Sequence, residues 1–176
     1  MIYDDIIDIW MRKNINVPTI IRIDDFISSS NKSYMNLFNF CAKKDIKLDV
    51  ATIPKSFMKN ASRTSNDVKD FSSYINFHQH GFKHANNNKN GPFNEFPDTS
   101  SFLKIKREIA LGKKILEENL GECFYPYYTP PWNRYNWKLI SALDSIKFKV
   151  LSAGNIYKYK SLKSLKYFGT NVDFIL

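Results

Sequence analysis

An α/β domain built around a parallel sheet is what this sequence predicts, and two observations carry the prediction. Short apolar runs rich in β-branched and aromatic residues recur at 19–24, 47–53, 74–78, 123–128, 148–152 and 170–175, the length and composition of buried strands. Helical patterns precede and separate them, at 4–12, 32–44, 66–73, 99–119 and 134–145. Such alternation favours crossover helices and a parallel sheet, either open or closed into a barrel. The 176 residues, 43% hydrophobic and 15% aromatic, suffice for one core and argue against disorder. We expect one domain over 1–176, without a linker or an internal repeat.

Taken in order, the first strand pattern, Thr19-Ile-Ile-Arg-Ile-Asp24, closes on the adjacent acids Asp24 and Asp25. The third leads into His78, His80 and His84, and the fourth into Thr129-Pro-Pro-Trp132. Between the third and fourth strands lies the clearest helix, with Phe102, Ile105, Ile109, Leu116 and Leu120 on one face, Lys, Arg and Glu on the other, and Gly121 as its stop. The helix at 134–145 places Trp137, Ile140 and Leu143 at helical spacing. The segment 85–97, with its Asn86-Asn-Asn-Lys-Asn-Gly-Pro92 centre, is a loop by composition and long enough to form a rim or lid. In a parallel sheet chemistry gathers at the strand C-termini, and the acids, the histidines and the Pro-Pro-Trp segment all fall there.

Composition narrows the function classes. The net charge of +9 comes from lysines scattered singly along helical patterns, which reads mainly as solvated surface and secondarily as attraction to an anionic substrate or peripheral membrane association. No nucleic-acid motif accompanies it, so no specific nucleic-acid partner is expected. Cys41 and Cys123 sit singly in apolar segments, which indicates neither a disulfide framework nor a cysteine-based zinc site. The first ten residues are acidic and amphipathic, unlike a secretory signal, and no run reaches membrane-spanning length. The expectation is a cytoplasmic protein.

Two neighbouring carboxylates at the end of an apolar strand repel and desolvate each other unless a cation or a donor offsets them. A helix N-cap needs one acid, and here there are two. A division of labour accounts for the pair: one carboxylate binds a divalent metal while its neighbour serves as a base. All three histidines of the chain lie between 78 and 84, with Gly81 at the turn, which favours metal ligation by the His80-x3-His84 pair. His78, two before His80, reads as a buried, hydrogen-bonded core residue. The stretch Phe124-Tyr-Pro-Tyr-Tyr-Thr-Pro-Pro-Trp-Asn-Arg134 supplies rings suited to sugar faces, and the Trp132 N–H, unlike the prolines before it, can donate to an oxyanion.

Arg22-Ile-Asp-Asp25, His80-x3-His84 and Thr129-Pro-Pro-Trp132, in this order, resemble the first three motifs of the polysaccharide deacetylase superfamily, the metal-dependent carbohydrate N-deacetylases. The likeness covers about residues 17–176, including Leu48-Asp-Val-Ala-Thr-Ile-Pro54 as the family's second strand. The resemblance implies a distorted (β/α) barrel of about seven strands and a divalent metal, commonly zinc, held by Asp25, His80 and His84. It further implies that Asp24 is the base activating water for attack on an N-acetyl group of a carbohydrate, with the Trp132 N–H stabilising the oxyanion. Tyr128, Pro131, Trp132 and Arg134 would line the substrate site. Arg22 and Asp173 would support the catalytic groups.

Three departures from the family pattern stand out. Gly81 replaces the Ser or Thr that usually follows the first histidine, and Thr129 stands where many members carry an Arg that pairs with the catalytic acid. Arg22 and Arg134 are the candidates to supply that charge. No histidine follows His84, although Val172-Asp-Phe174 resembles the motif whose Asp orients the family's late general-acid His. The expectation is a barrel incomplete at its C-terminal end. The competing reading is a deacetylase-like protein that binds carbohydrate without turnover. An iron-dependent oxygenase, which also uses two His and a carboxylate, fits poorly because it leaves Asp24 without a role.

Overall fold

Five parallel pairings assemble the sheet of the computed structural model, which describes residues 20–154 and 165–169. The strands are β1 (Ile21–Phe26), β2 (Leu48–Thr52), β3 (Ile75–His80), β4 (Phe124–Thr129), β5 (Val150–Ala153) and β6 (Lys166–Gly169), lying side by side in chain order. Helices α1 (Lys32–Lys43), α2 (Pro54–Phe57), α3 (Ala61–Val68), α4 (Phe102–Leu120) and α5 (Trp137–Ser145) connect them. Because the strand order never reverses, right-handed crossovers place the helices on one face of the sheet.

The pairing registers show why this face is apolar and the other is not. Ile21, Leu48 and Ile75 align across the strands, as do Ile23, Val50 and Phe77, and these side chains join the helices in the core. The alternate positions are Arg22, Asp49 and Asn76, followed by His78 and His80 on β3 and by Tyr127 and Thr129 on β4. One face is therefore a hydrophobic bed and the other a polar floor that ends in the candidate site. The expected α/β architecture holds. The sheet among the described residues has six strands rather than about seven, and its pairing runs from β1 to β6 without closing into a barrel.

Helix ends follow local chemistry. Asn31 caps α1 by accepting the Ser33 N–H at 3.0 Å, so neither Asp24 nor Asp25 serves as its cap. Ser101 caps α4, and Gly121, with φ 53°, ends it. The helix expected at 66–73 instead occupies Ala61–Val68 and passes into a single turn of 3₁₀ helix at Lys69–Phe71. Its buried side is Ala61, Thr64 and Val68, and the Thr64 hydroxyl accepts the Ser29 N–H at 3.3 Å. The helix expected at 4–12 and the strand expected at 170–175 lie outside the described residues, as does Asp173. No helix among the described residues is long and apolar enough to cross a membrane.

Gly112 shows how closely α4 lies on the sheet. A Cβ there would come within 2.4 Å of the Gln79 side-chain nitrogen and 2.9 Å of Pro54 Cγ. Gln79 cannot swing away cheaply, since it is fully buried and its Nε2 donates to the Gly81 carbonyl at 2.7 Å. We expect Gly112→Ala to destabilise the fold by about 1–3 kcal/mol, read from the urea unfolding midpoint.

Candidate active site

The acids come first, because ordinary strand alternation would send Asp24 and Asp25 to opposite faces. Between its pairings with Val50 and Thr52, β1 advances from Ile23 to Phe26, one residue more than β2 does. That bulge, with Asp25 at φ 65°, leaves Asp24 on the Arg22 side and lets Asp25 reach toward β3. The Asp24 carboxylate receives two bonds from one guanidinium, Nε to Oδ1 at 2.8 Å and a terminal nitrogen to Oδ2 at 3.1 Å. Arg22 also donates to Ser152 Oγ on β5 at 2.7 Å, and the Tyr34 hydroxyl donates to the Asp24 carbonyl at 3.0 Å. A fork braced at both ends holds this carboxylate in one orientation.

Asp25 Oδ1 lies 3.3 Å from Nε2 of His80 and 3.3 Å from Nε2 of His84. The three ligand atoms all fall within 4.8 Å of one another, the only such group of three or more among the described residues. His80 Nδ1 donates to the Thr129 carbonyl at 3.0 Å, which turns Nε2 toward Asp25. A backbone carbonyl holding the far nitrogen is the usual support for a ligating imidazole. A tetrahedral ion with bonds of ~2.0–2.1 Å keeps its ligand atoms ~3.3–3.4 Å apart, so the separations of Asp25 from each histidine fit a small divalent cation. Hydrogen bonding to His80 holds the Asp25 carboxyl below its ordinary range, against the opposing effect of burial. Burial pushes the His84 imidazole down, favouring the neutral form a ligand requires.

Four of the six non-glycine residues with positive φ among the described residues belong to this site: Asp25, His84, Trp132 and Asn133. The other two, Asp45 and Lys147, follow the ends of α1 and α5, where paired N–H bonds back into the last turn make the left-handed position ordinary. Strained backbone thus concentrates where the candidate ligands are.

Around them, Trp132 packs on His84 with ring centroids 4.5 Å apart and planes tilted by 49°, and meets Phe93 edge-on at 5.5 Å. Phe93 is 58% exposed, at the tip of the 85–97 segment. That segment is an ordered rim rather than a free flap, since Asn86, Asn87, Asn88 and Asn94 bond within it. Two expected substrate residues sit elsewhere. Tyr128 is 0% exposed: it shares the helix-facing parity of β4 with Phe124 and stacks edge-on against Phe148. Pro131 is buried under the Gly81 turn, its Cγ 2.6 Å from where a Gly81 Cβ would stand. Arg134 is exposed, and it is Arg22, not Arg134, that meets Asp24.

His78 is buried as expected, its Nε2 2.9 Å from Thr129 Oγ1. Burial pushes its pKa down to about 3, so it is neutral and serves as a strut. Glu95, unnoticed in the sequence, is 2% exposed and accepts the backbone N–H groups of Phe82 and Lys83. Burial raises its carboxyl, partly offset by those two bonds. A lone acid in an Asn-rich loop gave no signal of this; the glycine at 81, where a hydroxyl residue was expected, was the only hint.

No family model matches the chain, and no curated protein matches its sequence. Solved structures do match. One is a deacetylase from Streptococcus pyogenes in complex with acetate, at 17% identity and TM-score 0.61, over 81% of this chain and 60% of that one. The chain has the fold of the family 4 carbohydrate esterases. A family 4 acetyl xylan esterase from Clostridium thermocellum, solved with a cobalt ion, matches at 14% identity and TM-score 0.54, over 77% of this chain and 57% of that one. A CE4 family pseudoenzyme from Bacillus anthracis matches at 14% identity and TM-score 0.59, over 75% of this chain and 41% of that one. The chain spans about three fifths of the length of the first two. The deacetylase likeness read from the motifs is thus borne out in the fold.

Proposed function

We propose that this protein is a metal-dependent carbohydrate deacetylase that hydrolyses the N-acetyl group of a polysaccharide, oligosaccharide or glycolipid precursor. The observation that carries the reading is the convergence of Asp25, His80 and His84 within 4.8 Å beside a separate carboxylate, Asp24, oriented by Arg22. The carbohydrate esterase fold supports it. A divalent cation held by these three residues, zinc by its donor set, would act as a Lewis acid on water and on the acyl oxygen.

The chain's own groups divide the remaining work. Asp24 accepts the proton of the attacking water, and the Arg22 fork keeps its oxygens aimed while it does so. The Trp132 N–H donates to the acyl oxygen as negative charge develops there. The Trp132 and Phe93 rings offer a platform for the apolar face of a sugar, and exposed Arg134 stands within the same segment to meet hydroxyls. Because Phe93 is exposed and off the core, Phe93→Ala should raise KM about fivefold, the worth of a stacking contact of ~1 kcal/mol, while the melting temperature stays unchanged.

The direct test is acetate release from N-acetylglucosamine oligomers with added zinc or cobalt. Metal-dependent release is expected. Metal binding together with glycan binding but no acetate above the uncatalysed rate would overturn the reading in favour of a carbohydrate-binding protein.

A further inference from the structure

We propose that Glu95 is the positioning residue of the metal site, a buried carboxylate that holds the backbone of the turn between His80 and His84. The inference rests on the Asp25, His80 and His84 reading above. The turn 81–84 must hold two imidazoles, one at the end of β3 and one past it, in a fixed separation. The backbone groups of Gly81 and Phe82 and the Lys83 N–H each have a partner. The Gly81 N–H donates to the Thr129 carbonyl at 3.1 Å, the Gly81 carbonyl accepts from Gln79, and the Phe82 carbonyl accepts the Lys55 N–H at 3.0 Å. The remaining N–H groups of the turn's centre, on Phe82 and Lys83, go to Glu95, at 3.0 Å to Oε2 and 2.6 Å to Oε1.

Glu95 and Gly81 depend on each other. A Cβ at position 81 would lie 2.0 Å from Glu95 Oε2, and the residue's φ of +58° disfavours a side chain as well. The glycine therefore clears the space that the carboxylate fills, which ties the departure from the family pattern at 81 to an acid fourteen residues later. Glu95 is itself anchored, because the Asn87 side chain donates to its carbonyl at 2.6 Å and Phe96 beside it is buried. Its side chain does not join the ligand group. It acts on the cation through the backbone that sets His84 against His80, and support of this kind is typically worth ~10–100-fold in metal affinity.

The test is zinc titration by calorimetry, and cobalt titration by visible absorption, of wild type, Glu95→Gln and Glu95→Ala, with the melting temperature of each metal-free protein and hydrogen exchange of residues 80–86. Glu95→Gln keeps the shape but offers one acceptor oxygen for two N–H donors. We expect it to weaken metal binding about tenfold and to speed exchange at Phe82 and Lys83, with Glu95→Ala weakening binding up to ~100-fold. If Glu95→Ala does not fold, Glu95→Gln alone decides. Unchanged affinity in the folded variants, with only the metal-free melting temperature lowered, would mark Glu95 as structural and overturn the inference. Failure of the wild type to bind either metal would overturn the ligand reading itself, and this inference with it.

Discussion

Asp24→Asn is expected to lower kcat by about 10²–10⁴-fold, the usual worth of a general base, while the affinity for zinc stays within about twofold of wild type. Asparagine matches aspartate in shape and keeps an oxygen for the Arg22 Nε–H, which now reaches Oδ1 at 2.8 Å. What it cannot do is accept a proton. Asp24 also lies outside the ligand group, so its charge is not needed to close the metal's donor set. Asp25→Asn should behave in the opposite way, losing metal first and turnover in consequence. Arg22→Leu belongs with Asp24→Asn, because it releases the fork that aims the carboxylate without touching a ligand. Separate measurements of kcat and of metal affinity on the three variants check the division of labour. An Asp24→Asn enzyme that still turns over, or that no longer binds zinc, would remove Asp24 from the role of base.

The site was legible in the sequence to the extent that chemistry-bearing residues sit at strand ends. Arg22, Asp24, Asp25, His80, His84 and Trp132 were all named from spacing and likeness, and the fold brings them to one end of the polar face. Parity was the main source of error. Tyr127 and Tyr128 are indistinguishable as letters, and only the pairing of Thr129 with His80 decides that Tyr128 faces the helices. The same pairing explains Thr129. Its side chain is fully buried against His78 and its carbonyl serves both His80 and Gly81, so an arginine there would have no room. The charge for Asp24 comes instead from its own strand, two residues back.

Strand limits were legible to within about two residues wherever β-branched runs were dense. The sixth strand, Lys166–Gly169, was missed because Lys-Tyr-Phe-Gly carries little strand signal of its own and is defined by its pairing with β5. Helix α3 was placed too late for a related reason. Its buried face includes Thr64, a polar residue that is satisfied only by contact with the Ser28 to Ser29 loop. Such tertiary satisfaction of polar groups leaves no periodic trace in the sequence.

Removal of the histidines should abolish metal binding, and the two positions should differ in what else is lost. His80 is 2% exposed and tied to the Thr129 carbonyl, so His80→Ala leaves a cavity and takes one of two donors from that carbonyl, which keeps the Gly81 N–H, and should cost about 1–3 kcal/mol of stability in the metal-free protein. His84 is partly exposed, its neighbours being Trp132 and His80, so His84→Ala should leave the metal-free melting temperature nearly unchanged. It is the cleaner variant for that reason. For wild type, zinc at one hundred times its dissociation constant should add ~2.7 kcal/mol to stability, seen as a rise in melting temperature. In His84→Ala and in the His80→Ala plus His84→Ala double variant that rise should vanish. If zinc still stabilised the double variant as it does wild type, the cation would be bound elsewhere, and Asp25, His80 and His84 would be no more than a hydrogen-bonded cluster.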